Sequence, residues 1–144
     1  MKKTSLIVIV MLCLFLFSCK KDKNSVTSAS IVGKWTITSN LTSYYNKDGK
    51  LLNTEEATDS PIMIFNSNGS AISVLSDGEN IQATYAISTT NGKKNIKITY
   101  VRSNVMAYEI VVLTDHNLEL QDITVVDSQD KDYLKTVTDV KMTR

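Results

Sequence analysis

Beyond residue 33 the chain alternates apolar and polar positions with the two-residue period of a β-strand. Trp35, Ile37, Ser39 and Leu41 fall on one face of that repeat, and Lys34, Thr36, Thr38 and Asn40 on the other. Ile81, Ala83, Tyr85 and Ile87 alternate with Gln82, Thr84, Ala86 and Ser88, and Ile96, Ile98 and Tyr100 with Lys97 and Thr99. Such alternation predicts strands with one buried and one wet face. The expected strands are 33–45, 62–66, 70–76, 80–88, 95–101, 105–114, 118–126 and 133–142. The seventh loses its alternation near Asp122, where Leu118 and Leu120 give way to Ile123 and Val125. A bulge there would return the apolar set to the core.

Punctuation supports these elements. Gly49, Gly69, Gly78 and Gly92 lie between runs, each in an Asn- or Asp-containing turn sequence, and supply the positive φ of tight hairpins. Asp115-His116-Asn117 makes a turn without glycine, since Asn tolerates the left-handed region. Pro61 sits at the start of a strand, where its missing N–H costs least. No convincing amphipathic helix is seen, although Leu51 to Thr58 has room for a turn or two. Nearly every link is short, so consecutive strands pair as neighbours in a meander. Eight such strands remove their edges by closing into an antiparallel up-and-down barrel. A β-sandwich of immunoglobulin type is the alternative, but no Cys…Trp…Cys core is present. The exception among the links is 46–61, long enough to arch over one mouth of the barrel.

The first eighteen residues follow a different pattern. Met1-Lys2-Lys3-Thr4-Ser5 is positive, and Leu6 to Phe17 is uninterrupted apolar chain. A permanent helical span needs roughly 20 such residues, so this run is too short. A positive start, a short apolar stretch and a small residue before a cut predict a secretory signal, here 1–18. Leu16-Phe17-Ser18-Cys19 resembles the lipobox of bacterial lipoproteins. That resemblance implies a diacylglyceryl group on the Cys19 sulfur, cleavage before Cys19 and acylation of the new amine. A thiolate is the nucleophile such chemistry needs. One acyl chain anchors marginally, at about 0.8 kcal/mol per buried methylene, and two or three anchor firmly. Residues 19–30 read as the lipidated cysteine and a polar, flexible tether. Lys20 stands where lipoproteins of enterobacterial type carry the aspartate of inner-membrane retention. The expected location is the cell envelope, on the outer membrane, with periplasmic or surface display left open.

Removal of the signal leaves 126 residues, 19 to 144, enough for one domain with its own core. Lys2 and Lys3 leave with it, so 14 basic side chains face 15 acidic ones, a formal charge of −1. A near-neutral domain without a basic stripe argues against nucleic acid as a partner. Cys13 is lost with the signal and Cys19 is consumed by lipid, so no disulfide is expected and the core must suffice alone.

Gly33-Lys34-Trp35 at the start of the first strand resembles the Gly-x-Trp signature of lipocalins. Phe65-Asn66-Ser67-Asn68-Gly69, Tyr85-Ala86-Ile87, Leu113-Thr114 with Leu118-Glu119-Leu120, and the ending Met142-Thr143-Arg144 resemble the lipocalin-like lipoproteins of Bacteroidetes. The likeness spans 31–144 and implies a lipocalin-like barrel domain over those residues. It also implies that Trp35 closes the barrel floor, entered through Gly33, with Arg144 packed across the indole by cation–π attraction of about 0.5–2 kcal/mol. Thr114-Asp115 matches the start of a Thr-Asp-Tyr turn, with His116 in place of the tyrosine.

Catalytic chemistry is sparse. His116 is the only histidine and reads as a turn-tip residue. Glu55, Glu56 and Asp59 cluster in the long link as cation ligands or a helix cap, against the simpler reading of a solvated loop. Asp127, Asp130 and Asp132 form an acidic turn without the glycine and bidentate glutamate usual in calcium loops. No enzyme activity, cofactor or metal is expected. Tyr44 and Tyr45 point to opposite faces, so at most one reaches a lumen. Two functions stay open: a membrane-anchored carrier of a small apolar ligand, or an interaction module whose loops engage an envelope protein or external macromolecule.

Overall fold

The computed structural model describes residues 30–57, 62–101, 104–126 and 135–144. They form the strands β1 (Gly33–Tyr45), β2 (Leu51–Glu56), β3 (Ile62–Phe65), β4 (Ser70–Val74), β5 (Asn80–Thr90), β6 (Lys93–Tyr100), β7 (Val105–Leu113), β8 (Asn117–Val125) and β9 (Lys135–Thr143). Every pairing is antiparallel, in the order β1-β3-β4-β5-β6-β7-β8-β9, and β9 returns to pair with β1. The result is a closed eight-stranded meander. A sandwich is excluded, because the last strand runs beside the first from Thr36–Thr143 to Tyr45–Lys135. All eight expected strands are present to within a few residues. The Asn91-Gly92 turn joining β5 to β6 has positive φ at both positions (52° and 77°), the conformation that dipeptide favours in two-residue hairpins.

The long link departs from expectation. Residues 51–56 are neither an arch nor a turn of helix but a ninth strand, β2. It pairs with β1 from Tyr45–Leu51 to Leu41–Glu56, on the same edge that β3 occupies from Thr36 to Gly33. The Ala57 amide extends this pairing by donating to the Asn40 carbonyl at 2.9 Å. β2 and β3 are therefore two parts of one return path along β1. The local cause is Asn46, whose side-chain oxygen accepts from the amides of Asp48 (3.0 Å) and Lys50 (2.9 Å) and reverses the chain beside β1. The edge of β1 then offers hydrogen bonds to 51–56 that an isolated helical turn cannot match. Pro61 lies outside the described residues.

One end of the barrel holds the core. Trp35, Phe65, Ala71, Ile96, Leu118 and Leu120 are the most deeply buried side chains, with Met63, Ala83, Ile98, Val140 and Met142 around them. Phe65 meets Tyr85 edge to face at a centroid distance of 5.0 Å, and the Tyr85 hydroxyl donates to the Asn66 carbonyl at 2.9 Å. Aromatic pairs favour this T-shaped geometry because a positive ring edge meets a negative face.

Two register features change the expected faces. In β1 the pairing with β9 skips a residue: Ile37 opposes Met142, but Ser39 opposes Lys141 and Asn40 opposes Val140. Thr38 is the extra residue of this bulge. Past it Asn40, Thr42 and Tyr44 take the lumen side, and Ser39 and Leu41 leave the face that Trp35 and Ile37 share. In β8 the expected bulge near Asp122 is absent, since its pairing with β9 runs unbroken from Asn117–Thr143 to Val125–Lys135. Asp122 therefore follows Leu118 and Leu120 into the lumen, while Ile123 and Val125 stay 52 % and 74 % exposed. The irregularity sits in β7 instead, between Ile110 and Val112.

Candidate functional site

The two ends of the barrel differ in chemistry. At the floor, Trp35 is fully buried and its indole Nε1 donates to the Ile31 carbonyl at 2.8 Å. The Arg144 guanidinium lies over the indole, 4.3 Å from the ring centroid. Its Nη1 donates to the Val32 carbonyl at 3.0 Å and its Nε to the Asp115 carbonyl. The Arg144 amide donates to the His116 carbonyl at 3.2 Å. One side chain thus ties the N-terminal entry, the β7–β8 turn and the end of β9 across the indole. Gly33 makes this approach feasible. Its φ of +140° is unfavourable for other residues, and a Cβ there would stand 3.0 Å from Arg144 Nη1. The 114–116 turn needs no aromatic at His116, because Thr114 Oγ1 accepts from the Asn117 amide at 2.8 Å and the His116 amide at 3.3 Å. The floor is a structural plug.

The opposite end is hollow. A space of about 620 Å³ opens between the ends of β4 and β6 and the starts of β5 and β7. Ser73, Ile81, Tyr100 and Met106 line it and share the lumen face with Ala71, Ala83 and Ile98. Leu75 and Val101 close its sides, Asn80, Gln82 and Asn104 add polar edges, and Glu79 is its one charged lining residue. Across the same lumen, Thr42 and Thr138 share a hydroxyl hydrogen bond of 3.1 Å, beside Asp122 opposite Thr138.

Tyr100 connects this hollow to a second group of polar side chains. Burial raises the pKa of its phenol. Burial also pushes the Tyr108 phenol up to about 12, helped by the neighbouring Tyr100 and Asp122. Both hydroxyls are therefore protonated donors throughout the neutral range. The Tyr108 hydroxyl donates to Met106 Sδ at 3.3 Å, a weak acceptor from which a better one would draw it. A phenol whose pKa is higher in the folded barrel than its ordinary value of 10.0 favours folding at all pH values below 10. That contribution is lost as pH rises through 10 towards 12. Ultraviolet titration of tyrosinate should show late phenols, and stability should fall across this window. In Tyr108→Phe the latest phenol disappears and the fall is shallower. In Asp122→Asn the Tyr108 phenol titrates earlier, yet still above 10, because burial is the larger cause.

The remaining candidates lie apart from one another. The Tyr44 hydroxyl donates to Glu55 Oε2 at 2.8 Å, while Tyr45 sits under Lys135 Nζ, 5.3 Å from the ring centroid. Glu56 opposes Leu41 on exposed β2. Asp59, Asp127, Asp130 and Asp132, and Cys19 with the signal and tether before Ser30, lie outside the described residues. Among the described residues no three His, Cys, Asp or Glu side chains converge as for a metal. The residues that sequence reasoning missed are Tyr108 and Asp122. A signal is present in the sequence: Asp122 keeps the period of Leu118 and Leu120, and Ile123 and Val125 break it.

No protein-family model matches the chain, and no curated protein does. Among solved structures, the chain is similar to a lipocalin-like protein from Bacteroides uniformis, with 16% sequence identity, a TM-score of 0.42, and coverage of 76% of this chain and 96% of that one. The strand pairings of the chain itself establish the closed barrel.

Proposed function

We propose that this chain is a lipid-anchored, non-catalytic binding protein that holds one small, mainly apolar molecule in the mouth of its barrel. The observation that carries the reading is the mouth-side hollow of about 620 Å³, within the 300–1,000 Å³ usual for ligand pockets. Its walls combine Leu75, Ile81, Val101 and Met106 with the hydroxyl of Tyr100. Apolar walls supply affinity through area removed from water, and a protonated phenol orients an acceptor such as a carbonyl or ether oxygen. Glu79 at the edge of the hollow and Asp122 across the lumen add negative charge and disfavour an anionic ligand. The expected occupant is neutral or cationic, with an apolar body and an oxygen or nitrogen acceptor. The anchor is the acylated Cys19, supported by Leu16-Phe17-Ser18-Cys19 behind the apolar run, with the protein on the outer membrane.

Both parts are tested in one preparation. Membrane-extracted protein is analysed by native mass spectrometry, then denatured and its organic extract measured. The expected result is a protein mass increased by acyl chains on Cys19 and, in the extract, a stoichiometric small molecule. Met106→Arg places a long cationic side chain in the hollow and should empty it while leaving the acyl mass in place. An empty parent protein, or equal occupancy in Met106→Arg, overturns the binding site. An unmodified Cys19 overturns the anchor alone.

A further inference from the structure

The floor end carries a second hollow, about 330 Å³, outside the mouth site. Ile31, Val32, Ile87, Ile110 and Leu113 line it, and Lys94 is its only charged side chain. Val32 and Ile87 remain 37 % and 46 % exposed. No carboxylate among the described residues pairs with Lys94, whereas its neighbour Lys93 is held by Glu109 at 2.8 Å. Around this end Lys34, Lys93, Lys94, Lys141 and Arg144 outnumber Glu109, Asp115 and Glu119. An apolar recess with a cation at its lip matches an anionic amphiphile, with acyl methylenes inside and a phosphate at the amine.

Chain geometry selects the source of that amphiphile. Ser30, the first described residue, lines the same hollow, so the chain leading back to Cys19 departs from the floor. Eleven residues from Cys19 to Ser30 reach no more than about 40 Å. The nine residues of β9 already span roughly 30 Å along the strand. With Cys19 held in lipid, the mouth meets the membrane only if that segment runs nearly taut along the barrel, while the floor meets it with slack. We infer that the floor end, through the hollow around Lys94, seats on the headgroup layer of an anionic phospholipid bilayer, so that the ligand-binding mouth opens away from the membrane. The direction rests on the anchor proposed above; the contact rests on the hollow.

The test places the acylated protein in phosphatidylethanolamine vesicles with and without phosphatidylglycerol. Fluorescent labels are attached through Thr90→Cys near the floor or Asp48→Cys at the mouth, and quenched by a headgroup nitroxide lipid. Severalfold stronger quenching at Thr90, dependent on phosphatidylglycerol, is expected. Lys94→Glu with Ile87→Asp should bring Thr90 down to the Asp48 level while the anchor keeps the protein on the vesicle. Equal quenching in the parent protein, stronger quenching at Asp48, or indifference to the two substitutions overturns the inference. Protein that does not stay on vesicles at all indicts the anchor. In that case the chain from Lys20, which contains the whole barrel, decides: it should float with phosphatidylglycerol vesicles and bind about tenfold more weakly as Lys94→Glu. Flotation that ignores the headgroup or Lys94 overturns the docking. Near-ultraviolet circular dichroism matching the parent shows that each variant is folded.

Discussion

Replacing Trp35 with alanine is expected to cost about 3–5 kcal/mol of folding stability, a large share of the roughly 5–15 kcal/mol that holds a domain together. Three losses coincide. The fully buried indole leaves a cavity at the floor, the Ile31 carbonyl loses its donor, and the Arg144 guanidinium loses the ring beneath it. Urea unfolding followed by far-ultraviolet circular dichroism reads the change without relying on the deleted tryptophan. Trp35→Phe separates the contributions, since it keeps much of the apolar area and gives up the Nε1 bond, worth about 1 kcal/mol net. A double-mutant cycle of Trp35→Leu with Arg144→Met, in which neither single variant keeps a cation over an aromatic face, then measures the coupling of the two side chains, expected between about 0.5 and 2 kcal/mol. A change below about 1 kcal/mol in Trp35→Ala would show that the floor is not the barrel's principal plug.

Deleting Thr36, on the regular part of β1, should be worse than any single truncation in the core, whereas deleting Thr38 should be tolerated. Thr38 is the extra residue between Ile37 opposite Met142 and Asn40 opposite Val140, so its loss keeps both pairs and leaves a regular ladder through Ser39 and Lys141. Because side chains alternate along a strand, removing Thr36 instead turns Trp35 and Ile37 to opposite faces. Either Trp35 leaves the floor, or β1 from Ile37 onward turns over against β9 and β2. Either outcome breaks the closing seam, and the expected loss is about 5 kcal/mol or more, enough to unfold a domain of ordinary stability. Amide exchange along β1 and β9 should lose protection together, and the urea midpoint should fall below that of Trp35→Ala. A Thr36 deletion with the parent's midpoint would mean that the register of β1 contributes little, and unfolding on deletion of Thr38 would mean that this residue is not an insertion into a regular ladder.

These two results probe different kinds of information. Trp35 was legible from its place after Gly33 at the head of an alternating run, and the lipocalin resemblance supplied Arg144 as its partner. Thr38 was not legible. Nothing in Ile37-Thr38-Ser39-Asn40 distinguishes a bulged residue from one in a regular strand, and simple alternation put Ser39 and Leu41 beside Trp35. The reverse happened at Asp122. A bulge was expected because it would bury Ile123 and Val125, yet the unbroken ladder with β9 kept the carboxylate inside and left those two apolar side chains in water. Nine continuous pairs with β9 settle the register of the whole strand, and they outweigh the burial of two side chains near its end.

The sequence by itself determined the elements that depend on neighbours within a few residues. Alternation marked the strands, Asn-Gly and Asp-Gly marked their reversals, and short links left each strand little choice but to pair with the next. Tertiary structure decided what depends on partners far along the chain: the closure of β9 on β1, the pairing of β2 on the edge shared with β3, the bulge at Thr38 and the inward carboxylate of Asp122. The mouth-side hollow belongs to this second group. A cavity is the volume left between side chains on four strands, and no local pattern records how far apart closure will hold them.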